Sequence, residues 1–75
     1  MQLADIMIHV NETLPAAERG ALEDQLRQVE GVIAPRFSED KPHLLLVSYD
    51  ADVADTARLL GQVESSGYSA QLVGM

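Results

Sequence analysis

Two histidines and two glutamates are the side chains of this 75-residue chain that are best suited to bind a metal ion. His9, Glu12 and Glu18 follow one another early in the chain, and His43 stands at the start of a later apolar segment. Imidazole and carboxylate donors suit Zn²⁺ or Cu²⁺, and the thioether of Met7 adds a softer donor for Cu(I). The chain has no cysteine, so thiolate sites and disulfides are excluded. A candidate metal site must therefore use nitrogen, oxygen or thioether donors.

Other kinds of chemistry find little support in the residue content. The chain lacks a nucleophile with a supporting glycine elbow, and it lacks a glycine-rich loop that could cradle phosphate. Its five basic residues are scattered among twelve acidic ones, and the net charge is −7. Nucleic acids and anionic membranes require clustered Lys and Arg, whereas this charge suits a basic protein or a cation. We therefore expect a non-catalytic chain with neither nucleic-acid nor membrane partners.

Four segments rich in apolar residues are predicted strands: residues 3–10, 32–38, 43–49 and 68–73. In the first of them, Ile6, Ile8 and Val10 recur at every second position, which is typical of a strand with one buried face. Pro35 removes one N–H from the second segment, so that strand belongs at a sheet edge. The third segment is apolar at both odd and even positions, which predicts a central strand.

Two segments between these strands have the apolar spacing of helices. In the first, Leu22, Leu26 and Val29 form the apolar stripe. Thr13 is the expected N-cap of this helix, and Gly31 is the expected residue just beyond its C-terminus.

The second helix is predicted from a stripe with the same spacing, formed by Thr56, Leu59, Leu60 and Val63. Asp50 or Asp52 is the expected N-cap, with Asp55 in the first turn, where a negative charge is favourable. Gly67 is expected to end the helix.

The resulting element order is βαββαβ, which predicts an α+β ferredoxin-like sandwich. We expect a single domain over residues 1–75, with an antiparallel sheet in the order 4-1-3-2 and both helices on one face. The N-terminus lacks a basic region, and no apolar run approaches the roughly 20 residues that cross a bilayer. The expected location is the cytoplasm.

Several stretches of this sequence resemble heavy-metal-associated domains, the family of copper chaperones and of the N-terminal modules of copper-pumping ATPases. The stretches are IMIHV, LRQVEGV and YDADVADTARLLGQVESSGY, and the resemblance covers essentially the whole chain. Within them, Tyr49-Asp50 and Gly67-Tyr68 match the pairs that flank the second helix in the family. The resemblance implies the ferredoxin-like fold and a partner protein in metal transport.

The chain departs from the family at the metal-binding motif. Counted back from Gly31 without gaps, the family's Met-x-Cys-x-x-Cys segment falls on residues 13–18. Its methionine position is Thr13, and its two cysteine positions are Pro15 and Glu18. The resemblance therefore implies a cysteine-free binding module with an accessory role in metal-ion handling and with no cofactor. The alternative is a protein that binds Cu or Zn through histidine, methionine and carboxylate ligands.

The predicted sheet leaves the relation of the two histidines open. The order 4-1-3-2 places the end of the first strand beside the start of the third, so His9 and His43 can lie close together. Alternation instead directs His9 to the open face of the sheet and His43 to the other side or into the turn. One interpretation is a shared metal site, and the other is two partly exposed histidines.

The open face of the predicted sheet carries apolar residues where polar ones are expected. Met7, Leu44 and Leu46 occupy this face, although a solvated sheet face should be polar. An exposed apolar patch usually marks an interface, while a small patch is also common on ordinary surfaces. We predict an interface at these three residues, used for self-association into a dimer or for a partner protein.

Overall fold

The computed structural model describes residues 1–73 and contains six elements in the predicted βαββαβ order. They are β1 (Leu3–Val10), α1 (Ala16–Arg27), β2 (Val32–Phe37), β3 (Leu44–Asp50), α2 (Thr56–Ser65) and β4 (Ala70–Leu72). The predicted last strand is shorter than expected, because only three of its residues pair with β1. Residues 74 and 75 of the predicted domain lie outside the described residues.

The four strands form one antiparallel sheet in the order β2-β3-β1-β4. This is the predicted order read from the opposite edge, and it confirms the ferredoxin-like fold. β1 and β3 are central and pair from Leu3↔Asp50 to His9↔Leu44. β2 lies at an edge, which confirms the expectation from Pro35.

The hydrophobic core lies between the helices and one face of the sheet. Alternating residues of the central strands supply its floor: Ile8, Val10, Leu45 and Val47, each at most 1% exposed. The helices cover this floor with the predicted stripe residues Leu22, Leu26, Leu59 and Val63. Because successive strand residues point to opposite faces, the intervening side chains are left on the uncovered side.

The first helix begins without the predicted threonine cap. The N-cap is Pro15, with φ −66° and ψ 161°, and its side chain makes no capping hydrogen bond. The Pro15 carbonyl accepts from the N–H groups of Glu18 and Arg19 at 3.0 Å each. The prediction of Thr13 was wrong because proline's fixed φ already suits an extended cap residue two positions later.

The second helix begins at a different aspartate from the two that were predicted. Asp55 is the N-cap, and its carboxylate accepts from the Arg58 N–H at 2.8 Å. Asp50 instead accepts from the N–H groups of Gln2 at 3.1 Å and Asp52 at 3.0 Å. These bonds, that from Gln2 above all, hold the pKa of Asp50 below its usual value. Asp50 and Asp52 therefore shape the turn after β3 rather than the helix start.

The two predicted helix-ending glycines both have positive φ, but only one directly ends a helix. Gly67, with φ 99°, follows the C-cap Ser66, as predicted. Gly31, with φ 95°, begins the approach to β2, because α1 already ends at Arg27 with Gln28 as its C-cap. A Cβ added to Gly31 would lie 3.0 Å from the Val53 Cβ, so this turn packs tightly against the loop before α2.

Candidate functional site: the open sheet face and a histidine pair

The surface of the sheet opposite the helices, which we call the open face, is apolar at its centre. Met7 of β1 and Leu46 of β3 are directly paired, and His9 and Leu44 form the next pair along the same strands. All four side chains are half-buried, although neither α1 nor α2 covers this side. The structure thus groups Met7, Leu44 and Leu46 on one surface.

A shallow hollow of about 340 Å³ lies on the open face beside this apolar centre. Its lining includes Met7 and Leu46 together with Asp5, Arg36 and Ser48. The Ser48 hydroxyl donates to the Asp5 carboxylate at 2.7 Å. Arg36 is exposed and makes no ion pair within residues 1–73. The lining of the hollow therefore combines apolar side chains with one cationic and one anionic side chain.

The two histidines lie side by side at the end of β1. Their ring centroids are 5.4 Å apart, and the rings are stacked with 12° between their planes. The proximity that the strand order suggested is therefore present. Alternation did not determine the position of His43. This residue precedes β3, so its side chain need not follow the alternating directions of strand residues.

Each imidazole makes one hydrogen bond through its Nδ1 atom. His43 Nδ1 lies 2.7 Å from the Val10 carbonyl oxygen, and His9 Nδ1 lies 3.0 Å from the Asn11 side-chain oxygen. Since a carbonyl oxygen only accepts, each Nδ1 carries the proton when the ring is neutral. The unprotonated nitrogen of each neutral ring is then Nε2.

The two candidate carboxylates do not join the histidines. Both carboxylate oxygens of Glu12 accept from the Ser69 N–H, at 3.0 and 3.1 Å. Glu18 is exposed in the first turn of α1. Within residues 1–73 there is no group of three or more His, Cys, Asp or Glu side chains that could hold a metal ion. Of the four candidate metal ligands, the structure therefore brings together only His9 and His43.

Known structures provide a comparison for this geometry, whereas no family model and no curated sequence matches the chain. The N-terminal domain of a potential copper-translocating P-type ATPase from Bacillus subtilis, in the Cu(I)-loaded state, is 22% identical, with a TM-score of 0.85 over 97% of this chain and 90% of that one. Oxidised MerP from Ralstonia metallidurans CH34 is 15% identical, with a TM-score of 0.84 over 96% and 99% of the two chains. The CopZ metallochaperone is 18% identical, with a TM-score of 0.80 over 93% and 100%.

The chain has the fold of heavy-metal-associated domains. The fold resemblance stated from the sequence is thereby confirmed. The motif that binds metal in that family falls here at the start of α1, where Pro15 and Glu18 occupy the two cysteine positions. Proline has no side-chain donor, and glutamate is a hard ligand, whereas Cu(I) prefers soft thiolates. The residues at this end of the heavy-metal-associated fold do not fit a two-coordinate Cu(I) site.

The charged side chains that line the hollow were not anticipated from the sequence. Alternation along β2 is obscured by Pro35 and by a register shift between Val32 and Ala34, so the side on which Arg36 lies could not be read from spacing. The pairing of Asp5 with Ser48 requires the β1–β3 register, which is a tertiary property. Within residues 1–73, no helix has the length and apolar character to cross a membrane.

Proposed function

We propose that this chain is a small, non-catalytic protein-interaction module with an accessory role in metal-ion handling. The open face is its interaction surface, with Met7, Leu44 and Leu46 at the centre. The observation that carries the proposal is the apolar pair Met7–Leu46, which lies in the middle of a sheet face that neither α1 nor α2 covers. The metal-handling setting is supported by the fold, which is shared with the CopZ metallochaperone and with an ATPase domain.

The occupant of the open face that we propose is a second copy of this chain. A two-fold interface is self-complementary, so each group on one copy meets its complement on the other. Arg36 on β2 and Asp5 on β1 line the hollow from strands on either side of β3, and they carry opposite charges. A symmetric pairing that places Arg36 of one copy against Asp5 of the other forms this ion pair twice, around a Met7–Leu46 centre.

The net charge of −7 opposes such pairing at long range. Salt screens this repulsion between distant surface charges, while contacts within a closed interface are screened less. We therefore expect the dimer to form at high protein concentration and at physiological ionic strength rather than at very low salt.

The test is light scattering coupled to size-exclusion chromatography on the tag-free chain, with a chelator present so that no metal contributes. The wild-type chain is expected to approach the dimer mass as concentration rises. Leu44→Glu and Leu46→Glu each place a charge in the apolar centre and are expected to keep the chain monomeric. Ala21→Glu adds the same charge on the exposed side of α1 and serves as the matched control, with unchanged dimerisation.

A wild-type chain that stays monomeric at millimolar concentration contradicts the proposed occupant. Loss of dimerisation in the Ala21→Glu control contradicts the proposed surface, because the effect would then follow net charge rather than location.

A further inference from the structure

We propose that His9 and His43 form a binding site for a borderline divalent transition ion, represented by Zn²⁺, through their two Nε2 atoms. This site lies at the end of β1 and does not depend on the proposed dimer. It contains no cysteine and no carboxylate, and it is separate from the start of α1. Water is expected to complete the coordination of an ion held by two imidazoles.

The first argument is the protonation of the rings. A histidine metal ligand needs an unprotonated ring nitrogen, and the hydrogen bond made by the other nitrogen decides which one it is. Here the Val10 carbonyl and the Asn11 side chain occupy the two Nδ1 atoms. Neither Nε2 makes a hydrogen bond within residues 1–73, so both lone pairs remain available.

The second argument is the spacing of the rings. Two imidazoles bound to one tetrahedral ion, with Zn–N distances of about 2.0–2.1 Å, have ring centroids roughly 5.2 Å apart. The observed separation of 5.4 Å is close to that requirement, although no ion sets it. The rings must tilt out of their parallel stack to direct both Nε2 atoms at one ion, but they do not need to approach each other.

The third argument concerns which ring can tilt. His43 is anchored by a part-buried hydrogen bond to the backbone, whereas His9 is bonded to an exposed side chain that can move with it. Rotation of the His9 ring therefore completes the site at little cost. The surrounding chain, with its net charge of −7, favours the approach of a cation.

The experiment is a Zn²⁺ titration of the tag-free chain, followed by competition with a chromophoric chelator and by ¹⁵N spectra of the histidine rings. We expect one Zn²⁺ per chain with a Kd below about 0.1 mM, and a zinc-induced shift of the Nε2 resonance in both histidines. His9→Gln and His43→Gln are each expected to weaken binding at least about tenfold, because each removes one of only two protein ligands.

Glu12→Gln and Glu18→Gln are the matched controls, and we expect Zn²⁺ affinity within about twofold of wild type. The ring spectra of the wild-type chain keep the test valid if a histidine variant folds poorly. Zinc-induced shifts at Nδ1, shifts in one histidine only, or a Kd weaker than about 0.1 mM would overturn the site. Leu46→Glu, which breaks the proposed dimer, is expected to bind Zn²⁺ normally, so failure of one proposal can be told from failure of the other.

Discussion

The two faces of the sheet are made from the same strands, yet one is buried beneath the helices and the other is not. On the helix side, Leu45 and Val47 are at most 1% exposed and belong to the core. On the open face, their neighbours Leu44 and Leu46 are equally apolar in type but are only half-buried. The difference shows that apolar character along β3 exceeds what the core of this fold uses. The proposed interaction surface would make use of this excess.

The largest expected effect comes from truncating the same residue type on the two faces. Leu45→Ala should lower the free energy of unfolding by about 2–5 kcal/mol, because it leaves a cavity in a fully packed core. Leu46→Ala should lower it by less than about 1.5 kcal/mol, because only part of that side chain leaves water on folding. Urea denaturation of the two variants measures both values. Equal losses would break the distinction between the faces.

The next effect tests how tightly the turn at Gly31 packs against the loop before α2. Gly31→Ala should lower the free energy of unfolding by about 1–3 kcal/mol, because φ at this residue is positive. The added Cβ also meets the Val53 Cβ at 3.0 Å. Gly20→Ala is the control, since nothing lies within 4 Å of its added Cβ. Thermal unfolding should show Gly20→Ala raising stability by up to about 1 kcal/mol, the helix-propensity difference.

A smaller effect compares the starts of the two helices that cover the core. Asp55→Ala should lower the free energy of unfolding by about 1 kcal/mol, because it removes the acceptor for the Arg58 N–H. Thr13→Ala, at the position predicted as a cap but not used as one, should change it by no more than about 0.5 kcal/mol. Denaturant unfolding of this matched pair decides between them. A Thr13→Ala loss equal to that of Asp55→Ala would contradict the observed start of α1.

The smallest effect is expected at Asp50, whose carboxylate accepts two backbone hydrogen bonds near the end of β3. The pKa of Asp50 is lowered in the folded state, so its stabilisation is present above the usual aspartate pKa and is lost as pH falls through the lowered value. Asp50→Asn keeps an oxygen acceptor but removes the charge. Its melting temperature should lie slightly below wild type at neutral pH, and the gap should close in acid. A gap that persists at low pH would contradict this origin.

The sequence determines the fold more fully than it determines the local details. The spacing of apolar residues placed Ile8 and Leu45 in the core, because burial follows that spacing. The missing N–H of Pro35 placed its strand at an edge of the sheet. The predicted N-caps were wrong: Thr13 does not cap the first helix, and neither Asp50 nor Asp52 caps the second. Several residues that can occupy an N-cap lie within a few positions of each helix start, and local sequence does not choose between them.

The candidate site was accessible to sequence reasoning only in part. Alternation in β1 was enough to assign Met7 to the open face, and the β1–β3 pairing confirms the prediction that Leu44 and Leu46 share that face. The sequence did not reveal the stacking of His9 and His43, because it depends on a turn conformation. It also did not reveal the position of Arg36 on the open face, because that depends on a register shift in β2. These features are set by tertiary structure rather than by local spacing.

The most direct test of the open face is a concentration series of ¹⁵N–¹H spectra on the tag-free chain with chelator present. From micromolar to millimolar protein, we expect the largest shift changes at Met7, Leu44, Leu46 and their strand neighbours, with α1 and α2 nearly unchanged. Spectra that do not change with concentration, or changes centred on the helices, would contradict the assignment of the open face as the interaction surface.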